Sequence, residues 1–431
     1  MPQLRAVTTA LPNVPNLLKL MGGRTGTLAW LRKNNGFVGA GVAARFDLGP
    51  DSISDDGDAA ASDPCTARFA AASEWWAGVV ENADVRDEVV IPGTGLITMG
   101  SFSFDADSPA GSTLIVPQVL VGHRDGHGWL TVIGPKDADI FDTMAPEARA
   151  LLDAALPGKL QTYADHGAAT SASALPEEHF TEAVAGVAAR IRGGEVNKVV
   201  LARALDIETE ADIDERFLVS RLSEGFPSCW TFAVEGLVGA TPELLASTYH
   251  GIVNCRVLAG TRSAGEGAAD ELANSAKDLA EHKLAADSVV ETLKPLTRSV
   301  KPADEPYVLT LPNVVHLASD ITGELADDVT SIEVAGALHP TAALGGDPRE
   351  KAIEIISEVE GLDRDRYGAP VGWMGASRDG QWCVALRCAR ITGARTARAY
   401  AGGGIMGNSD PAAELAETEA KFAAVRGAFG F

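Results

Sequence analysis

A chain of 431 residues exceeds the roughly 250–300 residues at which one hydrophobic core usually stops growing, so we expect two core regions. Hydrophobic residues make up 46% and charged residues 22%, a globular composition that excludes a disordered or fibrous protein. The formal net charge of −23 repels phosphate backbones and anionic lipid, so we expect no nucleic-acid and no membrane partner. An anionic substrate would need a pocket that concentrates lysine, arginine or a metal ion.

Cysteine usage and the N-terminal segment predict a cytoplasmic protein. The five cysteines include no CxxC pair, and the chain is too long to depend on disulfides, so we expect reduced thiols. Cys383 and Cys388 fall in one predicted strand at an odd separation, which places them on opposite faces and favours packing roles. The N-terminus lacks the apolar segment of a secretory signal, and no run of about 18 apolar residues occurs, so we expect neither export nor a membrane span.

The first 170 residues read mostly as β-structure. Turn signals at 34–36 and 125–126 separate the apolar runs LAWLRK, FVGAGVAARF, TLIVPQVLVG and WLTVIG. An acidic stretch at 51–58 predicts a solvated loop, and the following CTARFAAASEWWAGVV predicts a helix. The segment DHGAATSASALP at 165–176 resembles a linker, so we divide the chain into residues 1–170 and 175–431.

The pattern changes after residue 176. Apolar residues at helical spacing from Phe180 to Ile191 predict an amphipathic helix that ends at Gly193. The run KVVLARALDI follows and is apolar on both faces, which predicts an interior strand with Lys198 at its start.

Further helices and strands alternate irregularly towards the C-terminus. Helical periodicity recurs at about 269–294, and a last helix begins at the N-cap residue Asp410 with Pro411 in its first position. The strand-like runs between them are PYVLTLP, WCVALRCARI and TARAYAGG. This irregular order predicts an α+β fold and not a regular βαβ repeat.

Three charged residues share one face of the last helix. Glu414, Glu417 and Lys421 form a stripe that borders the apolar face, which would suit a cleft. On spacing alone, a solvated face with a Glu417–Lys421 ion pair is the favoured interpretation. A metal-binding role would require another carboxylate.

A candidate for that carboxylate lies in the segment NSAKDLAEHKLAAD. Asp278 and Glu281 occupy neighbouring turns of the predicted helix, which also carries His282. Oxygen ligands without a His/Cys cluster indicate Mg²⁺ and not zinc. On spacing alone, Glu281 and His282 more often form ordinary surface.

The glycine run from Gly402 to Gly407 matches GxGxxG after a strand, the pattern of dinucleotide-binding loops. Only 24 residues follow it, too few for the second half of a βαβ unit, so we exclude that function. We interpret these glycines as bringing backbone amides close to an anionic ligand.

Lys198 and Glu243 are candidates for proton transfer. A lysine at a strand start usually faces solvent, but burial lowers the pKa of a lysine and makes it a general base. Glu243 lies in the apolar segment GATPELLAS, which would keep its carboxyl protonated as an acid. A first-turn glutamate of a helix after Pro242 fits the same segment equally well.

Taken together, these motifs resemble the chorismate-utilising enzymes, which include isochorismate, salicylate, anthranilate and aminodeoxychorismate synthases. The ordered set is highly specific, although each motif alone is weak. The first 170 residues more loosely resemble the N-terminal part of isochorismate synthases, through PGTGLITMGSFSFD. The motifs of the second half cover about 230 residues and are KVVLAR at 198–203, GATPELL at 239–245, LAGTR at 258–262, AKDLAEH at 276–282, LHPTAALGG at 338–346, YGAPVGW at 367–373, ALR at 385–387, AGGGI at 401–405 and ELAETEAK at 414–421.

The resemblance implies a substrate and a set of binding residues. Mg²⁺ would be bound by Glu281 and Glu417, with Glu414 in support, and would hold the ring carboxylate of chorismate. Arg387 and Tyr367 would hold the enolpyruvyl carboxylate. The other residues implied to contact or line the substrate are Lys421, Gly260, Thr261, Gly402 and Ala343.

Lys198 decides between subfamilies, because the resemblance associates lysine at this position with water as the nucleophile and other residues with ammonia. Lys198 would deprotonate a water that attacks C2 of chorismate, while Glu243 would protonate the departing C4 hydroxyl. The implied activity is that of an isochorismate synthase, an isomerase. A salicylate synthase, which also eliminates pyruvate, would share both residues and is the first alternative, and a non-catalytic chorismate-binding protein is the second.

The implied fold is α+β, with large and mostly antiparallel sheets around a core and helices outside. Residues 1–170 would join the same globule as the chorismate-binding catalytic part at 175–431. We expect a monomer or a weak homodimer with chorismate as its small-molecule partner. Menaquinone and siderophore biosynthesis both remain open as the pathway.

Overall fold

Two large β-sheets with flanking helices form the molecule. The computed structural model describes residues 2–12, 16–50, 64–156, 160–302, 305–311 and 314–431, and the predicted loop at 51–58 lies outside these ranges. The α-helices are α1 Pro64–Glu81, α2 Pro146–Ala155, α3 Glu177–Arg192, α4 Glu215–Gly225, α5 Ala268–Ala273, α6 Ala276–Leu293, α7 Ser331–Leu338, α8 Arg349–Val359 and α9 Pro411–Phe429. The strands are β1 Leu4–Leu11, β2 Leu28–Arg32, β3 Asn35–Ala40, β4 Ala44–Leu48, β5 Asp84–Asp87, β6 Ile97–Ser101, β7 Ser112–Val116, β8 Val119–Arg124, β9 His127–Pro135, β10 Ala169–Ser173, β11 Lys198–Thr209, β12 Trp230–Val234, β13 Leu237–Thr241, β14 Leu244–Tyr249, β15 Ile252–Ser263, β16 Thr297–Lys301, β17 Tyr307–Thr310, β18 Val314–Leu325, β19 Gly346–Asp347, β20 Pro370–Gly375, β21 Gly380–Val384, β22 Cys388–Gly393 and β23 Thr396–Ile405.

Both sheets combine strands from the two ends of the chain. The first sheet has 13 strands in the order β10-β11-β23-β22-β13-β12-β2-β3-β8-β9-β1-β5, with β19 also paired to β11. The second has 10 strands in the order β16-β18-β15-β14-β21-β20-β6-β7-β4, with β17 also paired to β18. Among the strand pairs of the described ranges, the β1–β5 pair alone is parallel. The N-terminal strand β2 pairs with β12, and β6 pairs with β20, so each sheet crosses the division at residue 170.

The linker predicted at 165–176 is wrong. Residues Ala169–Ser173 form β10, an edge strand paired antiparallel to β11. His166 just before it is buried, and its imidazole Nε2 lies 3.1 Å from the backbone oxygen of Phe429. Small and polar residues resemble a linker in sequence, but an edge strand needs no alternating apolar pattern when only part of its surface is covered.

The hydrophobic core lies in layers on and between the sheets. Aromatic side chains from both sheets meet between them, and Phe37 of β3 contacts Trp373 of β20 edge to face at 5.6 Å. The outer face of the first sheet packs against α2, α4 and α9, and that of the second against α1, α6 and α7. Sheets inside and helices outside confirm the predicted α+β architecture.

The single strand predicted for WCVALRCARI is two strands in different sheets. β21 belongs to the second sheet and β22 to the first, and the chain turns between them at Arg387, whose φ is 48°. Cys383 and Cys388 are both buried in the same cluster between the sheets. Opposite faces for the two cysteines were therefore a wrong prediction, because the chain changes sheets between them, whereas their packing role is confirmed.

Helix ends follow local capping chemistry. The predicted helix from Phe180 is α3, which buries Phe180, and Gly193 is its C-cap. The periodicity at 269–294 belongs to two helices, α5 and α6, because the Ser275 side chain accepts from the Asp278 amide and begins a new helix. The Asp410 side chain caps α9 as predicted by accepting from the Ala413 amide. Among the helices of the described residues, none combines the length and the hydropathy that a membrane span requires.

Candidate active site

A pocket lies where the start of β11 pairs with the end of β23. Its other walls are the β13–β14 link, β15, β18, the segment after α7 and one face of α9. Eight of the twelve predicted site residues line it, and the remaining four, Lys198, Gly260, Glu281 and Glu414, stand behind this lining or beside it. The eight are Glu243, Thr261, Ala343, Tyr367, Arg387, Gly402, Glu417 and Lys421.

Lys198 is buried at the start of β11 with only 1% of its surface exposed. Its Nζ lies 2.8 Å from Oε1 of Glu281, which α6 brings across from the second sheet. Gly404 leaves the space for this pair, because a Cβ there would lie 2.7 Å from Glu281 Oε1 and 2.8 Å from Lys198 Cε. The predicted interior strand with Lys198 at its start is therefore observed, and the lysine does not face solvent.

Glu243 occupies the link between β13 and β14 and is 4% exposed. It is not in a helix, so the alternative interpretation as a first-turn glutamate is wrong. Burial raises the pKa of Glu243 to about 8, although the charges of Lys198, Lys421 and Arg387 act in the opposite direction. Loss of hydration thus outweighs three nearby cations, and the carboxyl group is largely protonated at neutral pH.

Arg387, His316 and Thr261 form a hydrogen-bonded chain along one wall. Nη2 of Arg387 lies 2.8 Å from Nε2 of His316, and Nδ1 of His316 lies 2.9 Å from Oγ1 of Thr261. Because an arginine only donates, Nε2 accepts and Nδ1 carries the proton that it donates to Thr261. Burial, together with the charges of Arg387 and Lys421, lowers the pKa of His316 well below its usual value, which keeps the imidazole neutral.

The guanidinium group of Arg387 retains a binding capacity. Its Nη1 is buried and has no hydrogen-bond partner among the described residues. Burial lowers the pKa of Arg387, since hydration of the charge is lost. An anionic ligand atom in the pocket would supply the missing acceptor.

The charged stripe of α9 faces the pocket. Lys421 Nζ lies 2.7 Å from Glu417 Oε1 and donates to the Gly402 backbone oxygen at 2.6 Å. The ion pair that spacing alone favoured is thus present, but in the pocket wall and not on a solvated face. Glu414 is 6% exposed and accepts from Ser409 Oγ at 2.6 Å. Burial, with a further contribution from Glu417, raises the pKa of Glu414.

Gly260 shows how β15 bends at the site. Its φ of 78° lies in the left-handed region, and the register of β15 against β18 shifts between Ala259 and Thr261. The bulge turns both neighbours into the pocket lining, while Gly260 itself lies behind it, where a Cβ would be 3.2 Å from Asp278 Cβ.

The chain is similar in sequence to proteins of known family. The family model described as chorismate binding enzyme matches residues 56–430. The chain belongs to the chorismate-binding enzyme family. Within it, the isochorismate synthase MenF of Bacillus subtilis is 30% identical over 359 residues, which are 78% of this chain and 75% of that relative. Isochorismate synthase DhbC of the same organism is 37% identical over 275 residues, 59% of this chain and 69% of that relative.

Solved structures of chorismate-binding enzymes share the fold. The menaquinone-specific isochorismate synthase MenF of Escherichia coli superposes with a TM-score of 0.76 at 23% identity, covering 99% of this chain and 95% of that one. Anthranilate synthase component I of Streptococcus pneumoniae superposes with a TM-score of 0.68 at 19% identity over 90% of each chain. The α+β fold implied by the sequence resemblance is therefore confirmed.

A metal site in this chorismate-binding enzyme would draw on carboxylates around Gly403 and Gly404. A Cβ on Gly403 would lie 3.2 Å from Glu414 Oε2 and 3.7 Å from Glu417 Oε1, whereas Glu281 approaches Gly404. Within the described ranges, no group of three or more His, Cys, Asp or Glu side chains is arranged to hold a metal ion. The oxygen donors still suit Mg²⁺, and the mutual repulsion that helps raise the pKa of Glu414 would be relieved by a divalent cation.

Sequence reasoning missed two polar side chains that line the pocket. His316 and Tyr400 both contribute to its walls. The signal for His316 was one histidine in the otherwise apolar run VVHLAS, which is compatible with a buried polar contact. Tyr400 stacks on Tyr367 with ring centroids 5.5 Å apart, which a strand pattern alone does not reveal.

Proposed function

We propose that this chorismate-binding enzyme converts chorismate to isochorismate. The observation that carries the proposal is a buried lysine and a buried glutamate beside the same anion-binding pocket, with the pKa of the glutamate raised to about 8. Relatives named isochorismate synthase support the same reaction. The two groups are the base and the acid that such an isomerisation requires.

In the proposed reaction, Lys198 accepts a proton from water while the water oxygen bonds to C2 of the ring. The ring double bonds shift towards C4, the C4–oxygen bond breaks, and Glu243 donates the proton with which the hydroxyl leaves as water. One water enters and one leaves, so the product is an isomer of the substrate. The Lys198–Glu281 contact of 2.8 Å holds Nζ in place, and the raised pKa of Glu243, about 8, keeps its proton available.

The anion-binding residues suit the two carboxylates of chorismate. We propose that Arg387 and Tyr367 hold the enolpyruvyl carboxylate and that Lys421 assists anion binding. The buried and unpaired Nη1 of Arg387 supports this assignment, since it has no acceptor within the described residues. We further propose that Thr261, Gly402 and Ala343 contact the ring and that Gly260 shapes this wall.

We also propose that Glu281, Glu414 and Glu417 would hold Mg²⁺. When bound, the ion would supply positive charge opposite the ring carboxylate in a chain whose net charge is −23. Addition of Mg²⁺ should raise the Tm of the parent protein by a saturable increment, and Glu417→Gln should abolish that shift. An identical shift in the variant would place the ion elsewhere.

The reaction is tested by incubating the purified protein with chorismate and Mg²⁺ and separating the products by chromatography. Isochorismate alone, absent when EDTA is added, is the expected result. Salicylate with equimolar pyruvate would instead indicate the first alternative, salicylate synthase. An aminated product in an ammonium-supplemented control would contradict the role given to Lys198, and chorismate binding without any product would indicate a binding protein.

Residues 1–170 and 175–431 are proposed to act as one globule. The shared sheets support this, because β2 and β6 from the first part pair with β12 and β20 from the second. We also propose a cytoplasmic location and a monomeric or weakly dimeric state, which compartment fractionation and light scattering of the purified protein would test.

A further inference from the structure

One edge of β11 is incomplete beside the pocket. Along its other edge the strand pairs continuously with β23 from Val199 to Glu208. On the incomplete edge, β19 pairs at Lys198 and Val199, and β10 pairs from Leu205 onwards. In the described chain, residues 200–203 of β11 therefore have no neighbouring strand on that side.

A buried ion pair takes the place of the missing strand. Arg364 Nη2 donates to the backbone oxygen of Val200 at 2.7 Å, and Glu360 Oε2 accepts from the Ala202 amide at 2.7 Å. Arg364 donates two hydrogen bonds of 2.6 Å to the Glu360 carboxylate. The Arg364 side chain is only 1% exposed and that of Glu360 only 2%. The guanidinium also lies 4.3 Å over the ring of Phe104.

Arg364 connects three walls of the pocket through its guanidinium group and its backbone oxygen. Nη1 of Arg364 donates to the backbone oxygen of Leu344 at 3.0 Å, and the Arg364 backbone oxygen accepts from the Tyr367 amide at 2.8 Å. Val200, Leu344 and Tyr367 all line the pocket. Lys198 is two residues before Val200 on the same strand.

A charged pair is an unusual choice for this position if stability alone matters. Apolar residues of similar volume stabilise a fold as well as a buried ion pair does, because both charges must lose their hydration. A small cavity beside the pair is lined by Leu201, Ala202 and Glu360. What the pair provides is directional hydrogen bonds that fix the Val200 backbone oxygen and the Ala202 amide of β11 in place.

We propose that Glu360 and Arg364 are positioning residues that set the location of Lys198 and of the wall at Leu344 for the reaction. This inference rests on the proposed function. We call the Glu360–Arg364 pair the clamp. A displacement of about 1 Å in a reacting group can cost on the order of 100-fold in rate, so loss of the clamp reduces turnover more than substrate affinity.

The test compares Arg364→Lys with a matched control, Arg216→Lys. Arg216 is also buried, bonds Asp214 through two hydrogen bonds of 2.8 and 2.7 Å, and donates to the backbone oxygens of Met21 and Gly22. None of these four residues lines the pocket. We expect both variants to lower Tm, whereas Arg364→Lys alone lowers kcat by about 30-fold or more with a KM for chorismate within about threefold of the parent.

Equal kcat values in Arg364→Lys and Arg216→Lys would overturn the proposal, and so would a raised KM with unchanged kcat. If Arg364→Lys does not fold, the double variant Glu360→Gln/Arg364→Met decides, because it removes both charges and still offers amide contacts to β11. Its kcat should fall by at least about tenfold, and a parent-like kcat would refute the clamp. A parent protein that forms no isochorismate would instead contradict the proposed function, independently of the variants.

Discussion

The two proposed proton-transfer groups, Glu243 on the acid side of the pocket and Lys198 on the base side, lie in different surroundings. On the base side, Lys198 Nζ and Glu281 Oε1 lie in direct contact at 2.8 Å. On the acid side, no lysine of the described residues forms such a contact with the Glu243 carboxylate, and burial raises the pKa of Glu243 to about 8 despite surrounding cations. Around Glu243, the nearby positive charges do not offset the loss of hydration. The two predicted proton-transfer residues thus differ by environment and not only by residue type.

The largest effect should come from removing either group. Glu243→Gln and Lys198→Ala should each lower kcat by about 10³-fold, within the range for loss of a general acid or base. Lys283→Ala is the matched control, since Lys283 forms an exposed ion pair with Asp287. The rate of isochorismate formation, measured by chromatography, checks the result. A kcat within tenfold of the parent in either variant would remove that residue from the mechanism.

The base side depends on the space left by a glycine. Gly404→Ala would place a Cβ 2.7 Å from Glu281 Oε1 and should separate the Lys198–Glu281 pair, lowering kcat by about 100-fold. Gly407→Ala is the comparison, because a Cβ there would lie 3.3 Å from Arg192 Cγ and outside the pocket lining, and it should lose less than about fivefold. Equal losses in the two variants would mean that the ion pair tolerates displacement.

Substitution of His316, which contacts Arg387 in one pocket wall, should affect substrate affinity more than turnover. His316→Phe removes the acceptor 2.8 Å from Arg387 and should raise KM for chorismate by about 10- to 30-fold, as expected for a hydrogen bond to a charged group. His166→Phe is a control at a buried histidine that contacts Phe429 away from the pocket. Steady-state kinetics separate the outcomes, and an unchanged KM would show that Arg387 needs no support.

The smallest effects are those of pH on Glu243. Its folded pKa of about 8 lies above the usual glutamate pKa of 4.5, so the folded state binds the proton more tightly and loses stability as pH rises between these values. The slope is about 1.4 kcal/mol per pH unit, and Glu243→Gln should remove it. Urea unfolding at pH 5.5 and 7.5 measures the difference. Activity should also fall to half near pH 8, and parallel stability curves for parent and variant would contradict the assigned pKa.

Local features of the chain could be predicted from sequence because their causes lie within a few residues. Asp410 caps α9 through the Ala413 amide, and the residues that begin β11 are buried on both faces as their composition indicates. The stripe of Glu414, Glu417 and Lys421 follows from helical geometry alone. Its direction does not, because which neighbour covers the helix is decided by the sheet against which α9 packs.

Tertiary structure decided the features that depend on distant partners. Residues 169–173 form an edge strand on β11, and Cys383 and Cys388 lie in one buried cluster because the chain crosses between sheets at Arg387. Glu281 pairs with Lys198, and Glu360 with Arg364 completes β11, through contacts that no local pattern encodes. Sequence by itself determined which groups could carry charge or accept protons in this chain. Only the packing of sheets and helices determined which of them lost hydration and which gained a partner, and that balance sets their chemistry.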